Sequence, residues 1–174
     1  MKAQFISVLA KFEGNIWGTY LEVPDAVIQP FLKAGIKRIR CSINESKPIH
    51  CALLSMGNGR WFITVNKLFC KENHLQIEDK LQVEIEKDTS KYGMEMPREL
   101  DEMLKQDGEA SAYFEELTPG KQRNLIHFVA TIKSSEIRIR RALVVANHLT
   151  SHKGLIDFKD LNQEIKEANN LHRF

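Results

Sequence analysis

The chain begins as alternation. From residue 4 to 12 apolar positions recur every second residue, so Ile6, Val8, Ala10 and Phe12 share one side of a strand. Glu13-Gly14-Asn15 follows as a tight-turn signal, and residues 16–23 alternate again with Trp17, Thr19, Leu21 and Val23 on one face. The two strands predict a hairpin, ended at Pro24 because proline has no N–H to give to a ladder. A short helix over 25–34 stops at Gly35. Strands follow over 36–43, 49–55 and 60–66, the last two joined through Gly57-Asn58-Gly59. Lys67 to Leu75 predicts one helical turn or two. Over 80–87 the alternation is clean, with Leu81, Val83 and Ile85 inward and Lys80, Gln82, Glu84 and Glu86 outward. Short strands joined mostly by tight turns predict a barrel or sandwich rather than βαβ units.

The period changes after Asp88. Thr89 to Glu95 reads as a polar linker, and Pro97 fits the first position of a helix, where a missing N–H costs nothing. A second helix covers about 109–117. Thr118-Pro119 is a cap followed by proline and opens a helix to about 132. Residues 134–149 form the next helix, with Ile139, Ala142, Leu143, Ala146 and Leu149 as its apolar stripe; Gly154 breaks it, and Asp157 with Asp160 starts the last. The expected fold is α+β: a small six-stranded antiparallel β-barrel over 1–88, then a helical region over 97–174.

Composition narrows the function classes. With 43% hydrophobic and 28% charged residues in 174, the chain has the makeup of a globular protein, and its net charge of +2 advertises no global attraction for nucleic acid or membrane. No stretch reaches the roughly 18 apolar residues of a spanning helix, and the first residues lack a signal peptide's apolar run, so the expectation is a cytoplasmic protein without membrane insertion. Charge is nevertheless uneven. Residues 89–117 hold 3 basic and 8 acidic groups, whereas residues 118–153 hold 7 and 1. Two explanations stand: the acidic and basic helices face each other, or Lys121, Arg123, Lys133, Arg138, Arg140 and Arg141 contact an acidic protein partner.

Candidate chemistry is sparse. Cys41, Cys51 and Cys70 have no CxxC spacing and read as buried thiols, with Cys41 between Ile39 and Ile43 on the apolar side of its strand. His148 and His152 have helical metal-ligand spacing, but no carboxylate shares their helix face, and they read as a solvated helix end. No metal or other cofactor is expected. Trp17 and Trp61 read as barrel core, with a ligand platform as the alternative. No phosphate loop, HExxH or GxSxG occurs, so no catalytic residue is assigned.

One resemblance spans nearly the whole chain. Trp17 followed by Val23-Pro24, the strand from Gly35 to Ile43 ending in Asn44, the Gly57–Gly59 turn before Trp61, and Asp79 entering Leu81–Ile85 resemble the N-terminal barrel of the YdeI/OmpD-associated, bacteriocin-protection proteins, a domain of unknown function. Met96-Pro97, Phe114, Leu117 to Arg123 and Lys133 to Arg141 resemble that family's helical segment. Asn44-Glu45 stands where the family usually has Asn-Gly, Glu78-Asp79 where it has Gly-Asp, and Ile137 where it has Thr. The resemblance implies no catalytic residues and a protective phenotype against bacteriocins. The reading is a non-catalytic binding or interaction protein; the alternatives are a nucleic-acid-binding or regulatory module and an enzyme of unknown reaction.

Overall fold

The computed structural model describes residues 1–13 and 18–170. The chain divides into two compact units, Met1–Gly93 and a second beginning at Met94. Gly14, Asn15 and Trp17 lie outside the described residues.

The first unit is a curled antiparallel sheet, a half-barrel of seven strands: β1 (Lys2–Lys11), β2 (Thr19–Val23), β3 (Arg38–Ile43), β4 (Ile49–Ala52), β5 (Leu54–Gly57), β6 (Arg60–Val65) and β7 (Lys80–Lys87). Their order is β4-β3-β7-β1-β2-β6-β5. β1 is long enough to serve two partners. Its first part pairs with β7, Phe5 opposite Val83, and its last residues pair with β2, Leu9 opposite Leu21, which is the expected hairpin. The strand count exceeds expectation by one because the fourth strand breaks at Leu53. That residue is buried, and its N–H goes to the Lys37 carbonyl, the last step of the β3–β4 register before the chain turns into β5. β4 and β5 are the two edges of the sheet, yet they are consecutive in the chain. The bend at Leu53 therefore carries one segment from edge to edge, a local device for curving a sheet.

Inward residues form one core: Leu9, Leu21, Val23, Ile39, Cys41, Ile43, Ile63, Val65, Leu81, Val83 and Ile85. Helix α1 (Asp25–Lys33) adds Ile28 and Phe31, and α2 (Lys67–Glu72) adds Phe69. The expected Asn-Gly turn forms between β5 and β6. Asn58 and Gly59 both take positive φ, 51° and 78°, the requirement of a type I′ hairpin. The two departures from the family's turn residues also take positive φ, Glu45 at 63° and Glu78 at 75°.

The second unit is helical: α3 (Arg98–Gln106), α4 (Gly108–Glu116), α5 (Pro119–Ala130), α6 (Ser135–Ser151) and α7 (Phe158–Asn170). The starts of α4 to α7 each have a capping side chain. Asp107, Thr118 and Ser134 accept hydrogen bonds from the amides of Ala110, Lys121 and Ile137, and the Asp157 carboxylate accepts from Lys159 and Asp160. α6 is central, burying Ala142, Val145, Ala146, His148 and Leu149 among Leu100, Phe114, Leu125, Val129 and Leu161. The expected stripe of α6 is partly wrong. Ile139 and Leu143 are exposed, and the buried line is turned toward Val145 and His148. Among the described residues no helix is long and apolar enough to cross a membrane.

Candidate functional site

Three places in the two units gather side chains with chemical or binding potential. The first is the outer face of the sheet in the barrel unit. Because Leu9, Leu21, Val23, Ile63 and Val65 point inward, alternation sends Ile6, Val8, Ala10, Tyr20, Glu22 and Phe62 outward. The apolar side of β1 that begins the sequence is thus its outer side. Ile6 is 71% exposed and Val8 44%. Beside them, Phe12, Tyr20 and Phe62 pack together, with ring centroids 4.2 Å apart for Phe12–Tyr20 and 5.1 Å for Phe12–Phe62. Two open depressions of about 560 Å³ each meet at Ile6 and Lys80. One is lined by Phe5, Asn44 and Gln82, the other by Val8, Ala10, Tyr20, Glu22 and Pro24. Ion pairs flank this ground: Arg60 with Glu22, and Lys2 with Glu84 at 2.7 Å. Trp61 points to the other side and packs against the barrel core.

The second place is the basic segment of the helical unit. Three of its arginines are engaged at home. Arg138 pairs with Glu99 at 2.7 Å and also donates to the carbonyls of Ile132 and Lys133, just past the end of α5. Arg141 donates to the Phe128 carbonyl at 2.6 Å and lies over the Phe128 ring. Arg141 thus satisfies an orphan carbonyl at the negative end of the α5 dipole, and Arg138 ties down the chain that leaves it. Arg140 pairs with Glu136 one turn earlier. The Arg138 guanidinium and the Ser135 hydroxyl hold the Glu99 carboxyl at a pKa of about 2. Burial lowers the pKa of Arg141. Lys121, Arg123 and Lys133 have no ion-pair partner among the described residues, and they do not form one patch. Lys121 sits in the first turn of α5 and Lys133 beyond its last, roughly 18 Å along a 12-residue helix.

The third place is the C-terminal end of α6. His148 is 1% exposed, which corrects the reading of a solvated helix end. Its Nδ1 lies 3.0 Å from both carboxylate oxygens of Glu164, a residue of α7. His152 stacks on His148 with ring centroids 4.1 Å apart, and its Nδ1 donates to the His148 carbonyl at 3.1 Å. One ligand atom from each of the three residues lies within 4.8 Å of the others. Glu164 was invisible to a search along one helix face, because it reaches the histidines only through the turn at Gly154.

The remaining sequence candidates are ordinary. Cys41 and Cys51 are buried, and Cys51 together with burial pushes the Cys41 thiol far up. The His50 ring meets the Asp88 carboxylate at 2.7 Å. Cys70 lies 3.5 Å from the Thr19 hydroxyl.

Comparison with known proteins divides the chain in the same way. Residues 5–85 match the family model of a domain of unknown function (DUF1905), and residues 93–151 match the model described as bacteriocin-protection, YdeI or OmpD-associated. No curated protein and no solved structure matches the chain.

Proposed function

We propose that this chain, which belongs to the YdeI/OmpD-associated, bacteriocin-protection family and carries a domain of unknown function ahead of the family segment, works as a non-catalytic protein-interaction module. Its docking surface is the outer face of the barrel sheet around Ile6 and Val8. The observation that carries this reading is the exposure of these two aliphatic side chains, 71% and 44%, beside an aromatic cluster and within a polar rim of Lys80, Gln82, Glu22 and Arg60. Exposed apolar ground rimmed by polar groups is how protein interfaces are built, and a soluble domain otherwise avoids it. The partner fitting this chemistry is a protein surface with an aliphatic or aromatic centre and polar edges. Protection against a bacteriocin is then exerted by binding, in the cytoplasm, with no reaction at the site.

The experiment compares complexes recovered from the native host for the wild type and for Ile6→Glu/Val8→Glu. Both changes fall on outward positions, so the fold persists, as circular dichroism would verify. The reading expects a stoichiometric partner with the wild type and none with the variant. Equal recovery with both would refute the assignment of the face.

A second reading rests on Lys121 and Arg123, whose charges have no ion-pair partner among the described residues. They suit contact with an acidic protein segment. Titration with poly-glutamate and with duplex and single-stranded nucleic acid separates the two anion classes, since nucleic acid gives an affinity falling log-linearly and steeply with salt.

A further inference from the structure

The geometry points to a divalent transition-metal site in the helical unit, with the imidazoles of His148 and His152 and the carboxylate of Glu164 as ligands. The inference is independent of the docking face on the barrel.

Helix periodicity puts two histidines four residues apart on one side of α6, and their rings stack 4.1 Å apart. Gly154, at φ 78°, turns the chain so that α7 returns along α6 and delivers Glu164. The donor set is two imidazole nitrogens and one carboxylate oxygen. That set suits zinc, nickel, cobalt or copper, whereas magnesium and calcium favour all-oxygen cages. It is also the His-His-Glu combination that leaves a fourth position on zinc open.

The distances are close to what an ion needs. Ligand atoms around a tetrahedral zinc with bonds of 2.0–2.1 Å lie roughly 3.3 Å apart. His148 Nδ1 and Glu164 are already at 3.0 Å, and the full triangle lies within 4.8 Å. The remaining adjustment falls to His152, half-buried at the C-cap of α6 and therefore able to pivot. Its ring is correctly poised. A backbone carbonyl can only accept, so Nδ1 carries the hydrogen given to the His148 carbonyl, and the lone pair sits on Nε2. His148 is fixed in place by burial, and its Nε2 has no hydrogen-bond partner among the described residues. A small cavity of about 170 Å³ adjoins His148 and Glu164, lined also by Val144, Asn147 and Ser151, with room for a water as a further ligand. Asp157 does not compete, because its carboxylate is occupied by the amides of Lys159 and Asp160. A bound ion would bridge α6 to α7.

The test is isothermal titration of the full chain, purified without an affinity tag, with zinc chloride and with nickel chloride. The expected result is one ion per chain and a higher melting temperature with metal. His152→Gln and Glu164→Gln should each weaken binding by about tenfold or more, a typical loss when a group holding a metal site is removed. Both residues are half-buried rather than central to the core, so the variants fold, which circular dichroism checks. No binding by the wild type, or wild-type affinity in both variants, would overturn the proposal.

Discussion

Replacing Glu45 and Glu78 together by glycine should stabilise the barrel unit. Both residues sit at positive φ, 63° and 75°, where a side chain's Cβ crowds the following carbonyl. That conformation costs a non-glycine residue roughly 1–2 kcal/mol. Glycine removes the strain but frees the unfolded chain, which returns roughly 0.4–1 kcal/mol. The difference averages about 0.8 kcal/mol per site, so the pair is worth about 1.5 kcal/mol. Nothing offsets this gain, because both carboxylates are exposed and have no hydrogen-bond or ion-pair partner among the described residues. Urea unfolding reads the effect selectively. Both tryptophans, Trp17 and Trp61, belong to the first unit by sequence, so their fluorescence reports its unfolding alone. With a slope of about 1–1.5 kcal/mol per molar urea for a unit of this size, the midpoint should rise by roughly 1 M. The single variants should share the rise. A midpoint that stays or falls would refute the argument that glutamate is strained at these turns.

Two further predictions concern groups already described. Native Cys41 should resist Ellman's reagent while half-buried Cys70 reacts, and fast labelling of Cys41 without denaturant would contradict its place in the core. Glu99 has a folded pKa of about 2, below its unfolded value of 4.5, so its pairing with Arg138 stabilises fully above about pH 5 and is lost as pH falls toward 2. The helical unit's melting temperature should therefore drop between pH 6 and 3 by more in the wild type than in Arg138→Gln; parallel drops would show that the pair carries no such linkage.

What the sequence revealed and what it hid have physical causes. Helix starts were legible because caps act over three residues, as at Thr118-Pro119, Ser134 and Asp157. The Asn58-Gly59 turn was legible because its backbone demands those residues. The side of β1 that faces the core was not. Phe5 and Leu9 compete with Ile6 and Val8, both sides are apolar, and only pairing with β2 and β7 decides. The break at Leu53 was hidden because one continuous apolar segment serves both edges of the sheet. The basic segment left two explanations open because a sequence does not show that Arg138 meets Glu99 or that Arg141 folds back onto the end of α5. Glu164 was hidden for the same reason: a partner across a turn leaves no mark on the periodicity of α6.

In the proposed function the outer face of the barrel sheet docks a protein. A photo-crosslinking amino acid placed at position 6 tests it most directly, with a second chain carrying the same group at Lys33, an exposed residue at the end of α1, as the control. Irradiation of host cells should give one discrete adduct from position 6, none from position 33, and loss of that adduct when Val8→Glu is added. Equal crosslinking from both positions, or an adduct from position 6 that survives Val8→Glu, would contradict the claim.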